Sequence, residues 1–193
     1  MRIVCICGSP RKNGNTTKIL NEFVRAFHQN GFCVSQYFIS DLNVEYCCGH
    51  KYCELDGSCI KNDDVKRVID DIATADMVIV ASPSYWGDVT GQFKVFIDRC
   101  TPYGNLNPSR KYQPNGAKGI AIAVRAGQNK KENEHLVATI EHFLGHLDIP
   151  LLSSFTVEGI DKLSDLEERP EILARAFEFA KTIGKSDPII EGE

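Results

Sequence analysis

The stretch that decides the fold is RIVCICGSPRKNGNTTKIL, which occupies residues 2–20. Its first part, Arg2 to Cys7, is a short apolar run that ends at a glycine and predicts a buried strand. Apolar residues at helical spacing follow, and they predict a helix that Asn15 caps and Gly31 ends. A strand, a polar loop and a helix in this order predict the first unit of an α/β sheet.

The same alternation of strand and helix continues along the chain. Further apolar strands are predicted at residues 33–39, 77–81, 119–124 and 150–157. Further helices are predicted after Asn62-Asp63, at 88–100, around 136–147, and from Pro170 to about 183. Five apolar strands that alternate with five helices predict a parallel sheet covered on both faces. Two doubly wound strand orders fit, 2-1-3-4-5 and the Rossmann order, and in both a ligand binds beyond the carboxyl ends of the strands.

The composition predicts one globular domain and excludes several classes of protein. The chain has 193 residues, of which 42% are hydrophobic and 25% charged, so it is neither disordered nor fibrous. A single domain over residues 1–193 is predicted, with a Cys-rich insertion at about 41–61. A net charge of −4 argues against a nucleic-acid partner. No apolar run approaches the roughly 20 residues that span a bilayer, and none resembles a signal peptide, so we expect a cytoplasmic protein without a membrane partner.

The loop at residues 8–17, GSPRKNGNTT, predicts an anion site. Its side-chain hydrogen-bond donors include those of Ser9, Asn15, Thr16 and Thr17. The start of a helix adds free backbone N–H groups and the positive end of the helix dipole. The chain carries basic side chains and no acidic one before Glu22, although its net charge is negative. We therefore expect this loop to bind a phosphate group.

The kind of phosphate follows from the motifs that the loop lacks. The Rossmann fingerprint G-x-G-x-x-G is absent, and the Walker A motif fails because Asn15 stands where its Lys should be. A compact, hydroxyl-rich loop suits a dianionic monophosphate. A phosphatase is the competing interpretation, because Cys5 and Arg11 have the C-x5-R spacing of a phosphatase loop. Lys12 stands where that motif wants Ser or Thr, and Cys5 falls inside the strand, so a buried structural cysteine is favoured.

A second loop, SPSYWG at residues 82–87, follows the third strand. It carries Tyr85 and Trp86, the only tryptophan of the chain, at a strand end beside the phosphate loop. A flat conjugated ligand needs such apolar contacts together with backbone groups for its polar edge. Aromatic residues that only close the rim of the core are the alternative, but the adjacent phosphate loop favours a site for a ring.

Three segments of the chain carry a family resemblance. They are GSPRKNGNTT at 8–17, SPSYWGDVTGQFKVFIDR at 82–99 and AKGIAIAVRAGQNKKENE at 117–134. Their order and spacing resemble the NAD(P)H-dependent FMN reductase family of the flavodoxin-like superfamily along nearly the whole chain. The resemblance implies a flavodoxin-like fold, with strand order 2-1-3-4-5 and helices on both faces. It also implies bound FMN, NAD(P)H as co-substrate, a small-molecule electron acceptor, and a homodimer or homotetramer.

The resemblance also implies which residues hold FMN. Its phosphate is expected on Ser9, Arg11, Asn15, Thr16 and Thr17, and its ring against Pro83, Ser84, Tyr85, Trp86 and Gly87. Ala126 and Gly127, in the loop after the fourth strand, are expected to approach the ring. The implied reaction passes hydride from NAD(P)H through FMN to an acceptor such as a quinone. Because the cofactor carries the chemistry, no catalytic side chain is predicted.

Four of the eight cysteines lie between residues 47 and 59. Within the family, iron–sulfur flavoproteins carry C-x2-C-x2-C-x(4–7)-C at this place, and this chain has Cys47-x2-His50-x2-Cys53-x5-Cys59, with Cys48 beside the first. A [4Fe–4S] cluster usually takes four thiolates, and three Cys with one His would equally suit zinc. A loop that holds nothing is expected ahead of a cluster, and a cluster ahead of zinc. The alternative function is an iron–sulfur flavoprotein electron carrier fed by ferredoxin.

Two other groups are expected to be structural. Lys94, Asp98 and Arg99 match the family pattern on a helix, where salt bridges are the ordinary outcome. His142 and His146 have the i, i+4 spacing of a metal pair, but no further ligand is near them in sequence. For this pair we expect a solvated face or a subunit contact.

Overall fold

The computed structural model describes residues 1–183, and its centre is a five-stranded parallel sheet. The strands are β1 Arg2–Cys7, β2 Cys33–Phe38, β3 Met77–Pro83, β4 Lys118–Val124 and β5 Leu151–Val157. Their order across the sheet is β2-β1-β3-β4-β5, which confirms the flavodoxin-like order. The Rossmann order, which the strand pattern alone left open, is wrong.

Helices cover both faces of the sheet. In the described chain they are α1 Asn15–Gln29, α2 Cys53–Asp56, α3 Val65–Ala73, α4 Gly91–Arg99, α5 Lys130–His146, α6 Leu163–Glu167 and α7 Pro170–Thr182. Alternate residues of β1 point to opposite faces. Ile3 and Cys5 pack in one apolar core with α1 and α7, whereas Val4 and Ile6 pack in another with α3, α4 and α5. Burial on both faces explains why the inner strands are apolar throughout.

The switch point of the sheet positions the candidate site. β1 and β3 are neighbours although the chain visits β2 between them, so a crevice opens at their carboxyl ends. The N–H of Gly8, which follows β1, donates to the Ala81 carbonyl of β3 at 2.7 Å. The hydroxyl of Thr90, the N-cap of α4, donates to the Gly8 carbonyl at 2.6 Å. The loop after β1 is thereby fixed to β3 and to α4.

The start of α1 differs from the prediction. Gly14 is the N-cap, and Asn15 is the first helical residue. Asn15 does not cap the helix because its side-chain amide donates to the Lys162 carbonyl at 3.0 Å. Gly31, with a left-handed φ of 76°, follows the end of the helix as predicted.

Other boundaries shift by a few residues. The N-cap of α3 is Asp64, beyond the predicted Asn62-Asp63. α4 begins later than predicted, because the Thr90 hydroxyl caps it by accepting from the Phe93 N–H at 3.3 Å. The short helices α2 and α6 lie in segments for which no helix was predicted, since one turn carries too little periodicity to be recognised.

Among residues 1–183, no helix is both long and apolar enough to cross a membrane. The single-domain prediction extends to residue 193, and residues 184–193 lie outside the described part of the chain.

Candidate functional site

A cavity of about 610 Å³ opens at the carboxyl edge of the sheet. The ends of β1, β3 and β4 and the loop after β5 surround it. The structure brings to this cavity the predicted residues Ser9, Arg11, Asn15, Thr16, Pro83, Ser84, Tyr85 and Ala126. The predicted residues that do not line it are Thr17, Trp86, Gly87 and Gly127.

The N-terminus of α1 faces this cavity with free donors. No side chain in the described part of the chain caps it, and its first turn carries no acidic residue. The first hydrogen bond of the helix runs from the Lys18 N–H to the Gly14 carbonyl at 3.0 Å. The N–H groups of Asn15, Thr16 and Thr17 consequently have no acceptor within residues 1–183. Free N–H groups at the positive end of a helix dipole make this end an anion site.

Of the three basic residues in the first loop and the first turn of α1, Arg11 is the one without an ion pair in the described chain. Lys12 forms an ion pair with Asp41 at 2.8 Å, and Lys18 lies 3.6 Å from Glu167. Arg11 lines the cavity, is exposed, and forms no ion pair with any other residue of the described chain. Its guanidinium is therefore free to bind the oxygens of a phosphate group.

Two hydroxyl groups shape the turn before α1. The Ser9 Oγ accepts from the Arg11 N–H at 3.1 Å, and the Thr17 hydroxyl donates to the Arg11 carbonyl at 3.1 Å. Thr17 is thus buried under the loop rather than at the cavity. A Cβ on Gly14 would lie 3.0 Å from the Arg11 Cβ, so a larger residue there would move the turn by a few tenths of an ångström. The anion site is preformed by these internal contacts.

The loop between β5 and α6 adds a side to the cavity that the sequence analysis missed. Residues 160–163 line it, and the Asn15 Nδ2 fastens them by donating to the Lys162 carbonyl at 3.0 Å. The N–H groups of Asp161 and Lys162 both donate to the Asp165 carboxylate at 2.8 Å. The Asn15 Oδ1 is buried and has no partner in the described chain. The rule that ligands bind beyond strand ends, applied to β5, would have pointed to this loop.

The aromatic loop after β3 is a tight turn. Tyr85 and Asp88 exchange two backbone hydrogen bonds of 2.9 and 3.2 Å. Trp86 and Gly87 lie between them, with left-handed φ angles of 55° and 80°. The Ser84 N–H donates to the carbonyl of Val124, the last residue of β4, at 2.7 Å and fixes the base of the turn. A tryptophan with positive φ is uncommon, so the backbone of this turn adopts an unusual conformation at Trp86.

Trp86 lies outside the main cavity and is fully exposed, at 104% of its reference area. It lines a second hollow of about 470 Å³ together with Gly87 and Gly127. Ser84 and Ala126 line both the main cavity and this hollow. The two openings are therefore adjacent, and the predicted ring residues are divided between them.

Arg125 shapes the loop after β4, and the sequence analysis missed it. Its guanidinium pairs with Glu132 at 2.7 Å and donates to the Asn129 carbonyl. A Cβ on Gly127 would collide with this guanidinium, so glycine permits the close approach. The Arg125 Nε is buried without a partner in the described chain, and Arg125 lines the cavity. The sequence did offer a signal for Arg125, because a basic residue stands directly after the buried strand β4.

The phosphatase interpretation does not fit this geometry. Cys5 lies inside β1 and is fully buried. Burial raises the pKa of its thiol, and a thiol that stays protonated in an apolar core is not a nucleophile. Cys5 belongs to the core that packs against α1 and α7.

The candidate metal ligands of the Cys-rich loop do not line the cavity. Cys47 and Cys48 are exposed, Cys53 is buried at the start of α2, and Cys59 is half-buried. The His50 Nδ1 accepts a hydrogen bond from the backbone N–H of Tyr52 at 3.0 Å. Within residues 1–183, no three His, Cys, Asp or Glu side chains are placed to hold a metal ion.

Arg99 and Asp63 anchor the Cys-rich loop. Their side chains are 2% and 1% exposed and form an ion pair. Arg99 also donates to the Glu45 carbonyl at 2.8 Å and to the Cys59 sulfur at 3.4 Å. Burial alone would raise the pKa of Asp63, but hydrogen bonds from Arg99 and two backbone N–H groups lower it. Lys94 and Asp98, the other two residues of the family pattern, pair with each other on the exposed side of α4. All three residues therefore have structural contacts.

Comparison with known proteins supports the resemblance. A family model described as NADPH-dependent FMN reductase matches residues 1–159. An iron–sulfur flavoprotein from Archaeoglobus fulgidus is 40% identical over 132 residues, which are 68% of this chain and only 58% of that protein. An iron–sulfur flavoprotein from Methanocaldococcus jannaschii is 31% identical over 76% of this chain and 73% of that protein. A putative NAD(P)H-dependent FMN-containing oxidoreductase from Bacillus subtilis is 26% identical over 98% of this chain and 100% of that protein.

Solved structures share the fold. An NAD(P)H:quinone oxidoreductase from Methanothermobacter marburgensis superposes with a TM-score of 0.73 at 14% identity, and the match covers 98% of each chain. A flavone reductase superposes with a TM-score of 0.72 at 16% identity, over 99% of this chain and 64% of that one. At such identities the likeness establishes the architecture alone.

Proposed function

Because the chain belongs to the NADPH-dependent FMN reductase family, we propose that it is an FMN-dependent oxidoreductase. It takes electrons from NADH or NADPH and passes them to a small-molecule acceptor such as a quinone. The observation that carries this proposal is the open N-terminus of α1, whose free N–H groups face the same cavity as the unpaired Arg11.

The residues of the main cavity fit FMN. The free N–H groups of α1 and the Arg11 guanidinium suit a phosphate monoester, and a volume of about 610 Å³ is typical of a cofactor site. The buried Asn15 Oδ1 and Arg125 Nε lack partners in the described chain, and a polar ligand would supply them. Asn15 would bind phosphate through its backbone N–H, since its side-chain amide already holds the β5–α6 loop.

The protein contributes binding and orientation to the proposed reaction. Bound FMN supplies the hydride and electron transfer, which is chemistry of the cofactor itself. Arg11 and the α1 N-terminus hold the phosphate end, while Pro83, Ser84 and Tyr85 offer the wall against which the ring is oriented. We place the nicotinamide, and afterwards the acceptor, in the adjacent hollow beside Trp86, because that hollow shares residues with the main cavity.

Two measurements test the proposed function. The absorption spectrum and chromatography of the released flavin identify the cofactor, and FMN rather than FAD or riboflavin is expected. Oxidation of NADH and NADPH, followed with and without a quinone, tests the reaction. Protein that takes up FMN but oxidises neither nicotinamide would refute the reaction and leave the flavin site in place.

The competing function is an electron carrier that holds an iron–sulfur cluster fed by ferredoxin. Relatives with that name favour it, and the Cys-rich loop keeps cysteine at three of the four ligand positions. His50 occupies the remaining position, so a four-thiolate cluster would need Cys48 as a ligand out of the motif's register, while Arg99 contacts the Cys59 sulfur at 3.4 Å. Reduction of the flavin by ferredoxin but not by NAD(P)H would select the carrier.

We also propose that the chain is a homodimer or homotetramer. The family resemblance implies this assembly, and Trp86, which is fully exposed beside the second hollow, is a candidate residue of the interface. Sedimentation velocity of the flavin-loaded protein tests this. A monomer at micromolar concentration would contradict the proposal without affecting the flavin site.

A further inference from the structure

A separate cavity, of about 410 Å³, lies beside the carboxyl-terminal end of α5, away from both the main cavity and the hollow beside Trp86. His142 and His146 line it from successive turns of the helix. Their Nε2 atoms are 3.1 Å apart, and their rings are perpendicular, with an interplanar angle of 89°. Helical spacing alone brings two side chains to one face, but it does not aim the two Nε2 atoms at each other. A residue outside the helix gives the His146 ring this orientation.

Asn105 orients His146 and fixes its tautomer. The Asn105 Nδ2 donates to the Gly145 carbonyl at 3.2 Å and to the Asp148 Oδ1 at 3.1 Å. With two acceptors facing Nδ2, the amide oxygen must face the His146 Nδ1, which lies 3.2 Å from it. An amide oxygen only accepts, so the His146 Nδ1 carries the hydrogen and its Nε2 presents a lone pair.

A charged residue holds Asn105 in turn. Asp148, the acceptor of the Asn105 amide, also pairs with Arg110 at 2.5 Å. Imidazole ligands of metal ions characteristically have such a hydrogen-bonded partner on their second nitrogen. The contacts that link Arg110, Asp148, Asn105 and His146 therefore hold the His146 ring with its Nε2 pointing away from them.

We propose that His142 and His146 chelate one divalent transition-metal ion, of the Zn²⁺ or Ni²⁺ type, through their Nε2 atoms. Two zinc–nitrogen bonds of about 2.0–2.1 Å at a tetrahedral angle place the nitrogens about 3.3 Å apart, close to the 3.1 Å observed. Without metal, the His142 Nε2–H donates to the lone pair of His146. On chelation, His142 adopts its other neutral tautomer and both lone pairs point at the ion.

The remaining coordination positions belong to water. Within residues 1–183, no three His, Cys, Asp or Glu side chains converge on one point, so the site is a two-ligand chelate open to the cavity. Cys100 also lines the cavity, but its thiol is buried and donates to the Phe96 carbonyl. Glu54 and Asp98 also line the cavity, but they already pair with Lys51 and Lys94, so the two imidazoles alone carry the site. Imidazole nitrogen is a preferred ligand of zinc and nickel.

Titration calorimetry of the full chain with Ni²⁺ tests the site. His142→Asn and His146→Asn should each weaken one binding event roughly 10- to 100-fold, because each removes half of a chelate. His135→Asn is the matched control, since His135 is an exposed histidine earlier on the same helix. Binding by the cysteines or His50 persists in all of these variants and cancels in the comparison. Asn105→Leu should weaken the same event about tenfold, because it frees the His146 ring.

Nuclear magnetic resonance of protein with ¹⁵N-labelled histidine supplies a second readout. Added Zn²⁺ should move the Nε2 signals of His142 and His146 together and leave those of His28 and His135 in place. Unchanged signals of the pair would overturn the proposal. So would Ni²⁺ binding that His142→Asn and His146→Asn leave as strong as His135→Asn does. Flavin content and NAD(P)H oxidation, which this proposal does not involve, should be the same in all of these variants.

Discussion

Replacing Arg11 by alanine should weaken FMN binding about tenfold or more while leaving riboflavin binding nearly unchanged. Arg11 is a cation of the first loop without an ion pair in the described chain, and its side chain lines the main cavity. Riboflavin lacks the phosphate that this guanidinium is proposed to bind. The difference between the two ligands therefore isolates the phosphate contact from any change in the ring site.

The magnitude follows from the kind of contact. A hydrogen bond to a charged group contributes roughly 1.5–3 kcal/mol, which corresponds to roughly 10- to 100-fold in the dissociation constant. Arg11 is exposed, so solvent screening places the effect toward the lower end, and added salt should reduce it further. Quenching of flavin fluorescence during titration of the apoprotein measures both constants.

Lys12→Ala is the matched control for Arg11→Ala. Lys12 is the adjacent residue and carries the same charge, but Asp41 neutralises it at 2.8 Å. Its removal should change FMN affinity by less than about threefold, since an exposed ion pair is worth roughly 0–1 kcal/mol. Equal losses of FMN and riboflavin in Arg11→Ala would show that Arg11 does not touch phosphate. Equal losses of FMN in the two variants would show that only the general charge of the loop matters.

Replacing Trp86 by alanine should lower flavin affinity or quinone turnover, because it removes flat apolar surface beside the second hollow; an unchanged flavin spectrum with unchanged turnover would contradict this. Replacing Asp63 by asparagine should lower the free energy of unfolding at neutral pH by about 3–5 kcal/mol, because Arg99 is left buried without its counter-ion. The fold lowers the pKa of Asp63, so its stabilisation is complete above the ordinary value of 3.8 and is lost as the pH falls below it. Urea unfolding of the two proteins should therefore converge in acid, and a constant difference would argue against the pair. Protein purified in air should lack iron, whereas about four iron and four acid-labile sulfide per chain after anaerobic preparation would establish a cluster at residues 47–59.

The elements of the fold were predictable because their signals are local. Each buried strand is a short apolar run that ends in a glycine or a polar loop, and each long helix has apolar residues at helical spacing. Strand order is not a local property, because an apolar strand fits against any neighbour. It was fixed by the family resemblance of three segments, and the sheet confirms it.

The anion loop was predictable as a unit, but its individual contacts were not. The donors and the positive charge all lie within residues 8–17. The role of the Asn15 side chain depends on Lys162, which is 147 residues away in sequence. Thr17 turns toward the Arg11 carbonyl because the loop folds back over it. Pairings of this kind come from tertiary packing, which no local pattern encodes.

α4 connects the two chemically distinctive loops of this chain. At its amino-terminal end, the Thr90 hydroxyl holds the Gly8 carbonyl at 2.6 Å and so fixes the loop that faces the main cavity. At its carboxyl-terminal end, Arg99 holds the Glu45 carbonyl at 2.8 Å and the Cys59 sulfur at 3.4 Å. Phe93, between these ends, is fully buried, so the helix is locked into the core. The contacts of Thr90 and Arg99 therefore join the loop at the main cavity and the Cys-rich loop to one buried helix.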